Sequence, residues 1–444
     1  MSESASLYGS VFAGCPVEWE VVPFADAIDF REGPGILAKD FREKGVPLLR
    51  LRNIERPFVD LAGCNFLDPD MVESRWSHFR VVPGDLLVST SGTLGRVSIA
   101  TQASAGSIPY TGIIRMRPAR VDVDAGFIRY FLMSPLFQLQ AEASAAGSVL
   151  RHFGPSHLRE MSFPVPSSNE QRTIAGVLGA LDDKIEQNRR TARALERLAR
   201  AIFRAWFVDF EPVKAKAAGA ASFSSMPQPD FDALPTRFVD TDIGPVPEGW
   251  EVKAIGDVVT TKGGGTPSTK NPEYWDDGEH CWVTPKDMSR LSHPVLLDTE
   301  RRITEAAVNS ISSGMLPVGT VLMSSRAPVG YLAIAKVPTA INQGFIAMVC
   351  DGPLPSTYVL NWALTSMDAI KARASGTTFP EISKKNFRPL PVVLPQGNVI
   401  AAYQKTSDPL FDLLEACVKE NLQLTQVRDF LLPQLLSGTV RVRS

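Results

Sequence analysis

The feature that most constrains this chain is that it repeats itself. Pro16-Val17-Glu18-Trp19-Glu20-Val21 returns as Pro247-Glu248-Gly249-Trp250-Glu251-Val252, 231 residues later. Gly84 through Thr90 returns as Gly319 through Ser325, and Gly95 through Ala100 as Gly330 through Ala335, both at an offset of 235. Arg159 through Pro166 is answered by Arg388 through Pro395 at 229. Blocks that keep their order while the offset drifts by a few residues describe two homologous halves with small loop insertions. With 444 residues, each half is large enough to close a core of its own.

Each half ends in a helical pattern. Ile174, Leu178, Leu181, Ile185, Asn188, Ala192, Leu195, Ala199, Ile202 and Trp206 follow alternating steps of four and three, the seam of a coiled coil. The matching positions of the second half are Tyr403, Ser407, Leu410, Leu414, Cys417, Asn421, Leu424, Arg428, Leu431 and Leu435. Asn188 and Asn421 either fix register within the seam or sit at a splayed edge. Trp206, Phe207 and Phe210 are expected to pack on Leu431, Leu432, Leu435 and Leu436, and Arg189, Arg190, Arg193, Arg197, Arg200 and Arg204 to form a solvated face. A helix from Asn169 to Phe210 would be about 60 Å long at ~1.5 Å per residue.

Within the globular parts, apolar runs such as Asp85 to Ser89, Val97 to Ala100, Thr320 to Met323 and Leu332 to Ala335 are short and bounded by Gly, Pro and Ser, as strands are. Phe127 to Ala146 and Tyr358 to Ser375 read as helices. The fold class is therefore α+β, with five segments: domains over 16–168 and 247–397, helices over 169–210 and 398–438, and a linker over 211–246 rich in Ala, Ser and Pro.

The chemistry-bearing motifs fail in context. Lys262-Gly263-Gly264-Gly265-Thr266-Pro267 lacks the Gly-Lys-Ser/Thr that opens a helix in a phosphate loop. Asn271-Pro272-Glu273-Tyr274 approaches a base-holding Asn-Pro-Pro-Tyr motif, but Glu273 replaces the second proline. The five histidines have no metal-ligand spacing, and the five scattered cysteines form no Cys-x-x-Cys pair. Met1 to Pro16 lacks the parts of a signal peptide, and no run approaches the ~18 apolar residues a membrane span requires, so a cytoplasmic protein without membrane contact is expected. These features favour a binding protein without catalytic residues or metal.

Asn169-Glu170-Gln171-Arg172-Thr173-Ile174-Ala175, Leu181 to Asn188, and Ala201-Ile202-Phe203-Arg204-Ala205-Trp206-Phe207-Val208-Asp209-Phe210-Glu211-Pro212 resemble the conserved regions of type I restriction-modification specificity subunits. Gly263 to Pro267 with Tyr274-Trp275, Asn342-Gln343-Gly344 and Leu431 to Gly438 are similar to the same family. The second half departs from it with Asn398-Val399-Ile400 in place of Asn169-Glu170-Gln171, and the first lacks the Gly-Gly-Gly-Thr-Pro loop.

The resemblance implies two target-recognition domains that read the halves of a split, asymmetric site in double-stranded DNA. It implies an antiparallel coiled-coil spacer with pseudo-twofold symmetry, two modification subunits that methylate adenine, and, in systems that restrict, two restriction subunits. S-adenosylmethionine, ATP and magnesium would serve those partners, with no cofactor on this chain. The seam residues Ile174, Leu181, Ile185, Asn188, Leu195, Ile202, Trp206, Phe207, Leu414, Asn421, Leu424, Leu431 and Leu435 would carry the spacer and partner contacts. Two other readings stay open, a self-sufficient DNA methyltransferase or nuclease with a diverged site and a paired-domain interaction scaffold.

Charge does not announce the partner. From Pro16 to Ser168 there are 16 basic and 17 acidic residues, and from Pro247 to Gly397 there are 14 of each, so DNA would have to meet a local patch. The candidates are Arg50, Arg52, Asn53, Ser89, Ser91, Thr93, Arg115 and Arg117 in the first half. In the second they are Lys262, Thr266, Ser268, Lys270, Ser325, Arg326, Asn342, Gln343, Lys384 and Lys385. Arginine suits guanine and Asn or Gln suits adenine, whereas lysines and hydroxyls more often hold phosphate.

Overall fold

The structure is a computed structural model that describes residues 9–55, 57–90, 96–144, 153–376 and 380–442. The chain divides into two compact units, one formed by Met1–Ile185 with Gln423–Ser444 and the other by Glu186–Leu422. Each unit holds one domain and a part of both long helices.

In the first unit the strands Ile28–Glu32, Ile113–Pro118, Leu86–Ser89 and Val97–Ile99 form an antiparallel sheet in that order. A second sheet runs Phe41–Arg42, Asn65–Leu67, Val46–Leu49, Ile108–Pro109, its last pair parallel. Glu20–Pro23 pairs antiparallel with Ser162–Val165, closing the domain where the first long helix, Ser168–Phe207, begins. The expected helix over Phe127 to Ala146 is two helices, Ala125–Met133 and Pro135–Ser144. Ser134 between them is extended, the conformation favoured before a proline, and Pro135 cannot donate to the preceding turn. Phe24, Phe127, Phe131, Phe137 and Phe163 pack ring to ring at the centre, and all are fully buried.

The second unit repeats this plan. Thr260–Lys262, Phe345–Val349, Val321–Ser324, Leu332–Ala335 and Val295–Leu296 make one sheet, and Arg302–Ile303, His280–Val283 and Thr339–Ile341 make another. Glu251–Ala254 pairs with Pro391–Leu394 ahead of the second long helix, Gly397–Leu436. The segment Tyr358 to Ser375 is likewise two helices, Ser356–Thr365 and Met367–Ala372.

Residues 211–246 are not a loose linker. They form the helices Glu211–Ala217 and Gln228–Asp232 and the hairpin Phe238–Thr241 with Gly244–Pro247. Val213, Met226, Phe231, Leu234 and Val246 are buried in the core of the second unit. Pro212 and Pro229 occupy the first turns of the two short helices, where no N–H is needed, Pro227 caps the second, and the apolar residues among them are anchors. Phe210 takes a left-handed backbone, φ 52°, between the long helix and Glu211–Ala217, and its ring packs on Phe238 and Trp250.

The long helices pair antiparallel within each unit. In the first, Arg428 donates to Asp182 at 2.9 Å, and Ile174 and Leu178 share a core with Leu432, Leu435 and Leu436, with Leu431 packed against it. In the second, Asn188 donates to Glu420 at 2.7 Å, Ala192 clusters with Leu414 and Cys417 beside half-buried Leu195, and Phe207 meets Tyr403. Asn188 is thus a buried, bonded seam residue, whereas the buried Oδ1 of Asn421 has no partner among the described residues. Ile185 and Ile202 are buried, and Leu181 and Leu424 half-buried.

The expected contact of Trp206, Phe207 and Phe210 with Leu431 to Leu436 is corrected. Trp206 and Phe207 pack on Tyr403, Phe207 also on Tyr358 and Trp250, and the leucines belong to the core of the first unit. Antiparallel pairing sets the end of one helix against the start of the other, as Phe207 against Tyr403 in the second unit. The arginine face is solvated as expected, with Arg190 and Arg193 on Glu186 and Arg200 on Glu196.

Candidate nucleic-acid interface

In the second domain most predicted residues lie on adjoining loops at the ends of the strands. The turn after Thr260–Lys262 runs so close to the neighbouring strand that a Cβ on Gly264 would overlap the Ile341 carbonyl, which only glycine avoids. Two indoles hold the rest of the turn in place. Trp282 Nε1 donates to the Gly265 carbonyl at 3.2 Å and Trp275 Nε1 to that of Ser268 at 3.0 Å. The two rings meet edge to face at 5.2 Å, and the Arg301 guanidinium lies 3.6 Å over Trp275.

On this fixed turn Thr266 donates its hydroxyl proton to Gln343 Oε1, and both residues are exposed. Asn342 Oδ1 accepts the Gly344 N–H at 2.8 Å. The Lys384 ammonium lies alongside Gly263, and Arg326 is placed beside Gly344 and 3.9 Å from Glu381. Lys262 is half-buried, and Ser268, Lys270, Lys384 and Lys385 are exposed. Ser325 does not join this surface: it is buried, and its N–H donates to the Gly344 carbonyl. Asn342 uses its Oδ1 on its own turn and so positions Gln343.

The first domain builds the same turn from different residues. A Cβ on Gly33 would overlap the Pro109 carbonyl as one on Gly264 would overlap Ile341. Glu32 Oε1 takes the place of Asn342 Oδ1, accepting from the Gly112 N–H at 3.2 Å and from Thr111 Oγ1 at 3.3 Å. Arg50 carries its guanidinium 5.2 Å over the Tyr110 ring and 5.8 Å over Phe41. The expectation that the first half lacks this loop is corrected: it lacks the Gly-Gly-Gly-Thr-Pro letters and keeps the backbone. Gly33 precedes Gly264 by 231 residues and Gly112 precedes Gly344 by 232, within the drift of the repeat.

Several predicted readers in this half are internal instead. Asn53 is buried. Its Oδ1 accepts the Arg50 N–H at 2.9 Å and its Nδ2 donates to the Asp60 and Ala62 carbonyls, just as Asp287 accepts the Thr284 N–H at 2.8 Å in the second half. Ser89 Oγ accepts the Arg96 N–H at 3.2 Å, the counterpart of Ser324 with Tyr331 at 2.9 Å. Both are turn caps inside their domains.

Arg115 is buried against Asp29 at 2.7 Å, and burial pulls its guanidinium below the ordinary arginine range. Arg117 forks onto the buried Asp85 carboxylate, one arm at 2.8 Å, and that hydrogen bonding holds it more firmly protonated than a free arginine. Arg52 is exposed and donates to the Gly63 carbonyl. Ser91 and Thr93 lie outside the described residues. The surface left in this half centres on Arg50, Tyr110, Thr111 and Glu32, of which only Arg50 is legible from residue type alone.

Residues 16–197 and 247–424 match the family model described as the type I restriction modification DNA specificity domain. The MjaIX specificity subunit of Methanocaldococcus jannaschii is 37% identical over 194 residues, a segment spanning 43% of this chain and 45% of that protein. The HindI specificity subunit of Haemophilus influenzae is 28% identical over 63% of this chain and 69% of its own length. A crystal structure of the type I restriction-modification S subunit from M. genitalium aligns with a TM-score of 0.57 at 17% identity, covering 95% of this chain and 96% of that one, which supports the fold. With the specificity domain matched twice and the same strand plan and glycine-locked turn built in both halves, the chain belongs to the family of type I restriction-modification DNA specificity subunits.

Proposed function

We propose that this chain selects the DNA site of a type I restriction-modification complex, each domain reading one half of a split, asymmetric sequence in double-stranded DNA. The observation that carries the proposal is the pair of diverged turns: one backbone frame presents Thr266 and Gln343 in one half and Glu32, Thr111 and the Arg50–Tyr110 stack in the other. Two readers on one frame suit two different half-sites. Two modification subunits would hold the long helices and methylate adenine with S-adenosylmethionine. Two restriction subunits would add cleavage driven by ATP and magnesium. The chain would supply recognition without a cofactor of its own, in the cytoplasm; among the described residues no helix is long and apolar enough to cross a membrane.

The reading of the chain as a methyltransferase or nuclease in itself is not favoured, because the relatives it matches are specificity subunits. The test is DNA binding by the chain purified with its modification subunit, measured against salt and against competitor DNA. A sequence-selective complex whose affinity falls steeply with salt supports the proposal. Binding that is indifferent to both would favour the interaction scaffold.

A further inference from the structure

The two turns differ in the polar group they present beside the glycine that both halves share, and the difference has a definite chemical sense. In the first domain Glu32 Oε1 is pinned by the Gly112 N–H and the Thr111 hydroxyl, and Oε2 makes no hydrogen bond among the described residues. A carboxylate only accepts. On a surface that meets DNA it would be repelled by phosphate, so its favourable partner is an amino group on a base edge.

In the second domain Thr266 holds the Gln343 carbonyl, which fixes the plane of the amide. Its Nε2 makes no hydrogen bond among the described residues. That amide has a donor and a second carbonyl lone pair facing outwards, the pair of functions that adenine matches with N7 and N6.

We infer that Glu32 and Gln343, though not at matching positions of the repeat, are the specificity-determining residues of the two turns: Glu32 reads a cytosine amino group, and so a G·C pair, in one half-site, and Gln343 reads an adenine in the other. This rests on the proposed DNA-reading function and adds to it the residue and the base in each half. Asn342 and Thr111 are positioning residues, since Asn342 frees Gln343 by taking the Gly344 N–H and Thr111 orients the carboxylate.

The experiment is methylation-site sequencing of genomic DNA from cells carrying the modification subunit with this chain in five forms: unaltered, E32Q, Q343E, T266V and T111V. The unaltered chain should give a split motif with a G·C position in one half. E32Q keeps an oxygen for the Gly112 N–H but can also donate, so methylation at sites with adenine in place of that cytosine should rise about tenfold or more relative to the original motif, at one position of one half. Q343E should do the reverse in the other half, and T266V should weaken discrimination at the same position as Q343E without creating a new preference.

Copurification with the modification subunit and the thermal midpoint of each variant report folding. T266V changes no charge and carries the Gln343 assignment should Q343E fail to assemble, and T111V, which removes the hydroxyl on Glu32, does the same for E32Q, with weakened discrimination at the G·C position expected and no change there overturning the assignment. If the unaltered chain yields no motif, the DNA-reading function itself fails. If it yields a motif that assembled variants leave unchanged, or change in both halves or at a position without a G·C pair for Glu32, the assignment of Glu32 and Gln343 is overturned while the function stands.

Discussion

Asp182 sits where three elements of the first unit meet, and its removal should be among the most damaging single changes there. Its carboxylate accepts from Arg129 of the helix Ala125–Met133 at 2.7 Å, from the Tyr130 hydroxyl at 3.0 Å, and from Arg428 of the second long helix at 2.9 Å. The side chains are mostly shielded, with 9% of Asp182, 10% of Arg129 and 20% of Arg428 exposed. Burial also pushes the Tyr130 hydroxyl well above its usual range, so it stays a neutral donor that needs its acceptor.

Asp182→Ala leaves the buried Arg129 guanidinium without its counter-charge and takes one of two carboxylates from Arg428, which keeps Asp429 at 2.8 Å. Breaking a buried pair by removing one partner costs about 3–5 kcal/mol. Asp182→Ala/Arg428→Ala removes both partners of a pair that each single change breaks, so its loss should be smaller than the sum of the two single losses by at least about 1 kcal/mol. Urea unfolding of the four proteins, read by far-UV circular dichroism, measures both quantities. A loss below about 1 kcal/mol for Asp182→Ala, or strict additivity in the double variant, would refute the reasoning, because either result means that the carboxylate is not holding the arginines.

Three further outcomes rest on local geometry. Gly264→Ala and Gly33→Ala should each lower the thermal midpoint clearly, because the added methyl would overlap a backbone carbonyl that cannot move alone, whereas Gly176→Ala in open space on the first long helix should stabilise by about 0.5–1 kcal/mol. Glu415 would be raised by burial, but Lys336 at 2.8 Å and Lys419 at 2.6 Å outweigh that and hold it below the usual value of 4.5. A folded-state value below the unfolded one means stability present above about pH 4.5 and lost as pH falls through the folded value. Glu415→Gln should therefore be less stable than the unaltered chain by about 1 kcal/mol at neutral pH, the gap closing in acid, as denaturant titrations at several pH values would show.

What could be read without coordinates depended on whether a residue's task is set by its neighbours in sequence. The Gly84 and Gly319 blocks were legible as a repeat because each builds the same fully buried strand, Leu86–Ser89 in one half and Val321–Ser324 in the other. That constraint also made Ser89 misleading. It is shared with Ser324 for capping the hairpin, so likeness between halves marked structure rather than recognition. Asn53 has a base reader's chemistry and a loop cap's place, and only its burial distinguishes them.

Glu32 escaped notice for the opposite reason. It lies where the halves share backbone and not residue type, and its link to Gly112 crosses 80 positions of sequence. The Ala- and Pro-rich segment looked like a linker because composition averages over Val213, Phe231 and Leu234, the few residues that bury it. Trp206 meets Tyr403 because the helices run antiparallel, a direction that the likeness of their apolar ends does not carry.

Under the proposed function this chain decides which DNA is modified. The most direct test is methylation-site sequencing of genomic DNA from cells that carry the modification subunit, with and without this chain. The account predicts methylated adenine in a split motif only when the chain is present. A modification complex that contains the chain and methylates a control substrate, yet shows no motif that depends on it, would contradict the account.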